Sequence, residues 1–144
     1  MTTTWVLVAD EAIARILQWR PAERALDPVE ELTDPIAHAR DRDLRRDAYG
    51  RRNSTVTSSA GEDETRLAAE RFAREVCDHL AQARQQGRFD VLRVVAAPRF
   101  LGLLRQAMDT HVDDAISDEL NKQLVYLPPH ELADRLFPQP AGGA

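Results

Sequence analysis

A chain of 144 residues is about one domain long and can bury a core without disulfides or metal staples. At 43% apolar and 30% charged it is neither disordered nor fibrous in composition, and its single cysteine, Cys77, excludes an internal disulfide and fits a reducing compartment. A net charge of −5 excludes a uniformly basic coat, and the start, Met1 to Trp5, has no Lys or Arg and leads into too few apolar residues for a signal peptide or membrane span, so a cytoplasmic protein without a membrane partner is expected.

Thr4 to Asp10 is a continuous apolar, β-branched run and reads as a strand buried on both faces. Asp10, Glu11 and Ala12 form a tight polar break. Ile13 to Trp19 is a second strand, and the pair reads as a hairpin. Pro21 ends it, because proline cannot donate to a ladder. A third short strand, centred on Val29 to Leu32, lies between Leu26 and Thr33 and closes at Asp34-Pro35. These connections predict a three-stranded antiparallel meander.

The next segment, from about Ile36 to Gly61, is open. A loop of that length inside one domain is functional, disordered, or ordered by a partner. Its second half, Asn53 to Gly61, is small and polar and reads as flexible.

Glu62 to Gln86 carries the strongest helical period. Ala68, Phe72, Val76 and Leu80 recur every four residues, and Ala83 continues the face. Arg66–Glu70, Glu70–Arg74 and Arg71–Glu75 have helix-neighbour spacings, and Gly87 is a stop. Phe89 to Ala97 reads as a central strand parallel to the first. Pro98 opens another helix, with Phe100, Leu101, Leu104 and Met108 on one face. Residues 110–125 are ambiguous: Val112, Ile116, Leu120 and Leu124 are four apart, as in a helix. Pro128-Pro129 leads into a last helix, His130 to Phe137, and residues 138–144 form a frayed tail. Helix, strand, helix over 62–108 is the pattern of an α/β domain. The expected architecture is one domain over residues 1–137, a mixed sheet of about five strands with two main helices and a short C-terminal one.

Charge is distributed unevenly. Between His38 and Asn53 six arginines (Arg40, Arg42, Arg45, Arg46, Arg51, Arg52) face three aspartates (Asp41, Asp43, Asp47), a balance of +3, so the rest of the chain carries −8 of the net −5. Two readings stand. Arginine forks grip phosphate bidentately, a basic loop can order on RNA, and Tyr49 can stack on a base. Alternatively, the arginines and aspartates pair with one another on a solvated surface.

A second candidate is the turn Ala97 to Phe100, after the carboxyl end of a central strand, where α/β sheets bind ligands and Arg99 would direct charge. Its alternative is packing: Phe100 and Leu101 dock the helix and Gly102 lets a neighbour approach. A third is acidic. Asp10 ends the first strand, but nothing in the spacing brings it to the several carboxylates that two-metal chemistry needs, and a turn-forming role is the simpler reading. The histidines, His38, His79, His111 and His130, have no ligand spacing. Cys77 lacks a CxxC partner and reads as a packed thiol. No hydrolase elbow, P-loop or dinucleotide fingerprint occurs, so no cofactor or metal is expected.

At Ala96 to Arg105, Trp5 to Asp10, Arg42 to Asp47 with Gly50, and Arg71 to Arg74, the chain resembles the bacterial proteins required for attachment to host cells; Leu120 to Leu124 and His130 to Leu132 match more loosely. That family in turn resembles the middle domain of archaeal and eukaryotic class-1 translation release factors. The resemblance implies a mixed sheet with helices packed on it, similar in topology to ribonuclease H-like folds, and it favours a strand somewhere in 113–121. It also places residues 36–61 where release factors carry a catalytic Gly-Gly-Gln. This chain has none, and Gly50 to Asn53 lacks the paired glycines and the glutamine. Peptidyl-tRNA hydrolysis is therefore not implied, whereas contact with RNA or the ribosome is.

The expectation is a non-enzymatic protein that binds RNA or the ribosome through Arg40, Arg42, Arg45, Arg46, Tyr49, Arg51 and Arg52, with Arg99 as a further anion contact. Its alternatives are an interaction module for an acidic protein or a second copy, affecting attachment indirectly, and a metal-dependent nuclease or phosphoesterase using Asp10.

Overall fold

The apolar run at the start of the chain forms β1 (Thr4–Ala9), and Trp5 to Ala9 are all buried. Side chains alternate across a strand, so Trp5, Leu7 and Ala9 enter one core while Val6 and Val8 enter another. This is why β1 has no polar face. In the computed structural model, residues 2–34 and 59–139 are described.

β1 pairs antiparallel with β2 (Ile13–Arg20), which pairs antiparallel with β3 (Ala25–Thr33), giving the expected meander. β3 is longer than its apolar centre suggests and runs through Pro28. It is an edge strand, where a missing N–H costs no ladder bond, and the register against β2 shifts between Ile16 and Leu17.

The main helix, α1, spans Ser59–Gln85. Residues 59–61 therefore open a helix rather than end an open segment. Its buried positions are Ala69, Phe72, Ala73, Val76, Cys77, Leu80 and Ala83. The spacing-by-four reading gave Ala68, which is only half-buried; a period of 3.6 carries the stripe to Ala69 and widens it. Gly87, at φ +72°, ends the helix in a reciprocal cap: the Arg88 amide donates to the Ala83 carbonyl (2.9 Å) and the Gly87 amide to Arg84 (3.0 Å).

The chain then enters β4 (Val91–Ala96), parallel to β1 with Ala9 opposite Ala96. It continues through α2 (Pro98–Ala107) and a short turn of helix, α3 (Thr110–Asp113), into β5 (Ile116–Asn121), which is parallel to β4. The ambiguous stretch is thus mostly strand and loop. Of its four apolar residues, Val112 sits on a helical turn; Ile116 and Leu120 are on β5, and Leu124 is in the connection after it. The last helix, α4, is Pro129–Leu136.

Strand order is β3-β2-β1-β4-β5, a mixed five-stranded sheet in one α/β domain. The larger core lies between the sheet and α1 and α2; the smaller one lies under α4. No helix among the described residues is long and apolar enough to cross a membrane.

Gly102 corrects one expectation. A Cβ built there meets nothing within 4 Å among the described residues, so none of them needs the missing side chain. Phe100, Leu101 and Leu104 dock the helix without its help.

Candidate functional site

Parallel pairing of β1 and β4 sets their carboxyl ends side by side. The segments leaving the two strands therefore share one edge of the sheet: Asp10 to Ala12 after β1, and Ala97 to Arg99 after β4. α1 reaches the same edge. It has 27 residues, about 40 Å of helix, against about 20 Å for six-residue β4. It runs back into β4 through the Gly87 turn, so its N-terminal part extends past the carboxyl ends, and residues 61–67 are all exposed.

Asp10 organises this edge. Its Oδ1 accepts hydrogen bonds from the amides of Ala12 (2.9 Å) and Ile13 (3.0 Å), and its Oδ2 accepts one from Gln123 Nε2 (3.0 Å). Asp10 is the expected turn former, and it also fastens the connection after β5. Both its oxygens are engaged. Among the described residues no group of three His, Cys, Asp or Glu side chains is arranged to hold a metal.

Glu11, next in the turn, is half-buried and makes no side-chain hydrogen bond or ion pair among the described residues. Across from it, Arg99 stands in the first turn of α2, exposed and equally without a partner among them. Ala97 at the N-cap supplies no capping side chain. Between them is a cleft of about 180 Å³, lined among the described residues by Glu11, Thr65, Arg66, Ala69, Arg99 and Leu103. Arg66 approaches Asp63 (3.7 Å) and Glu70 (3.8 Å), exposed contacts near the limit of an ion pair.

Of the expected site residues, Arg99 is placed in this cleft. Arg40, Arg42, Arg45, Arg46, Tyr49, Arg51 and Arg52 lie outside the described residues. Sequence reasoning passed over Glu11 and counted Arg66 only as a helix pair. The parallel register of β1 and β4 was the signal that could have joined them to Arg99.

A larger depression, about 400 Å³, lies at the other end of α1, among Ala81, Arg84, Gln85, Asp109 and His111. Its arginine is occupied: Arg84 donates to the carbonyls of Phe89 (3.1 Å) and His111 (3.2 Å). His79 Nε2 lies 2.6 Å from Glu30 Oε2 and ties α1 to β3. Cys77 is buried with its thiol against the Leu104 carbonyl (3.5 Å). Burial, and then the nearby Asp78 charge, push its pKa up to about 12, so it is a packed thiol and not a nucleophile.

These features define a mixed-sheet α/β domain with a small charged cleft at the carboxyl edge of its parallel strands. Residues 5–136 match the family described as "Protein required for attachment to host cells", and the chain belongs to that family. No curated protein matches the chain.

Proposed function

We propose that this member of the host attachment family binds RNA, with the ribosome as its principal target, using the arginines of residues 38–53 together with the carboxyl edge of the sheet. The observation that carries the reading is where the basic segment is attached. It leaves the described chain at Asp34, whose amide donates to the Ala12 carbonyl in the hairpin turn (2.9 Å). The chain resumes at the start of α1, whose Thr65 and Arg66 share the cleft with Glu11 and Arg99. Six arginines against three aspartates are thus tethered at both ends to the edge that already holds Arg66 and Arg99, in a chain otherwise at −8. An arginine-rich segment of net charge +3 favours a polyanion, and phosphate contacts release counterions.

The test is sedimentation of the protein with ribosomes from lysate at low and high salt, alongside an Arg45→Glu/Arg46→Glu variant. The expected result is co-sedimentation at low salt that falls steeply as salt rises and is lost in the variant. Absence of binding at low salt, or binding unchanged in the variant, overturns the reading. A pull-down that survives nuclease treatment would favour an acidic protein partner instead.

A further inference from the structure

We infer that the cleft between the hairpin turn, α1 and α2 holds a single unpaired guanine nucleotide of the bound strand, with the base edge on Glu11 and the phosphate on Arg99 and Arg66. This deepens the RNA reading above and rests on it. Glu11 and Arg99 line one small cleft, carry opposite charge, and still do not pair with each other or with any other described residue. They are held apart by their elements. Asp10 locks the hairpin turn that carries Glu11, and Pro98 starts the helix that carries Arg99.

Such a cleft selects its occupant by chemistry. A bare anion meets the Glu11 carboxylate, and a bare cation meets two guanidinium groups. A ligand that satisfies both sides carries an anion at one end, hydrogen-bond donors at the other, and an apolar body for Ala69 and Leu103. A nucleotide is such a ligand. A carboxylate only accepts hydrogen bonds, and guanine presents two adjacent donors, N1–H and the 2-amino group, to its two oxygens. Adenine, cytosine and uracil each present one donor group on the same edge. That edge is free only in an unpaired base. The cleft volume, about 180 Å³, is below that of a drug-sized pocket and suits the base alone, with the sugar and phosphate at the open side beside the exposed Arg66 and Arg99. No aromatic ring is among the described lining residues, so discrimination should come from Glu11 and affinity from the arginines.

The experiment measures binding of the full chain to the pentaribonucleotides UUGUU, UUAUU, UUCUU and UUIUU, where inosine lacks the 2-amino donor. Wild type, Glu11→Gln and Arg99→Glu are compared, and guanosine monophosphate is titrated separately while backbone amide resonances are followed. The expected results are a preference of about tenfold for the guanine pentamer over the adenine one, with inosine between them. Glu11→Gln removes the preference while keeping binding, and Arg99→Glu weakens all four alike. Neither residue has a partner to lose among the described residues, so both variants are expected to fold, which circular dichroism checks. Equal binding of the four pentamers, or a preference that survives Glu11→Gln, overturns the inference. If ribosomes co-sediment but the pentamers show no preference, the cleft inference falls and the RNA reading stands. If the monophosphate shifts amides at 11, 65–69 and 99–103 while no RNA binds, the cleft takes a free nucleotide and not one of a bound strand, and both the inference and the RNA reading fall. If neither occurs, both fall.

Discussion

On one face of the sheet Trp5, Leu7, Ile16, Leu92 and Val94 meet Phe72, Val76, Leu80, Phe100 and Leu104 from α1 and α2. On the other face Val6, Val8, Leu17 and Val95 meet Leu132, Ala133 and Leu136 of the eight-residue α4, with Leu124 and Val125 from the connection before it. The first face is closed by apolar area. The second has a smaller apolar core and is held as well by arginines that reach backbone carbonyls far away in sequence. Arg15 donates to Val125 (2.9 Å) and Leu127 (2.7 Å); Arg93 donates to Leu136 and Arg24 to Phe137. Arg93 also grips Asp118 through both carboxylate oxygens (2.8 and 2.9 Å), and its hydrogen bonds hold the Asp118 pKa below the usual carboxylate range. Trp19 stacks on Phe137 with ring centroids 3.9 Å apart. A helix of two turns and an irregular connection leave many carbonyls without partners, and a guanidinium with five donors can satisfy several at once.

The largest expected effect breaks the apolar face. Phe100 is fully buried, 5.7 Å from the Phe72 ring. Phe100→Ala should cost about 3–5 kcal/mol, read as a lower denaturant midpoint in equilibrium unfolding. A loss below about 1 kcal/mol would mean that this core is not the main source of stability.

Cys77 tests how dry that face is. Its thiol titrates near 9 in an unfolded chain and at about 12 here. A raised pKa means the folded state keeps its proton, so this contribution is fully present below pH 9 and lost progressively as pH climbs from 9 towards 12. The loss should approach 1.4 kcal/mol, roughly, for each pH unit in that window. Cys77→Ala should flatten this part of the stability–pH curve relative to wild type. Identical alkaline slopes would show that the thiol is not shielded.

Arg15 tests the clamped face. Arg15→Ala leaves the Val125 and Leu127 carbonyls without their donor and should cost about 2 kcal/mol. Both bonds come from one nitrogen, Nη1, so Arg15→Lys, whose ammonium carries three donors, should recover part of the loss. Amide exchange should quicken at residues 124–136 before it does in α1. Uniform quickening would mean the two faces are one cooperative unit.

The same contrast explains what could be read from the sequence. β1 and β4 were legible because a strand buried on both faces is an unbroken apolar run, and α1 because its stripe has a helical period. β5 was not. It has one strand neighbour, Ile116 and Leu120 are four apart as in a helix, and its acids, exposed Asp118 and half-buried Glu119, pair with Arg93 and Arg105. The arginine clamps were hidden, since contacts between 43 and 113 residues apart leave no period. In the cleft, Arg99 was visible because it comes just after a strand end, whereas Glu11 looked like any turn residue until the register of β1 against β4 put it opposite.

The smallest effect concerns the solvent side of α2. Gly102 is half-buried, and a Cβ there meets nothing within 4 Å among the described residues. Glycine inside a helix costs backbone entropy, so Gly102→Ala should raise stability by about 0.5–1 kcal/mol, seen as a higher denaturant midpoint with an unchanged slope. The variant also probes the cleft, because Leu103 beside it is a lining residue. A gain in stability with pentamer binding unchanged places the bound nucleotide on side chains alone. A gain in stability with weaker binding means that a ligand, rather than a neighbouring element, uses the open backbone at 102. A loss of stability would contradict the open space seen at this position.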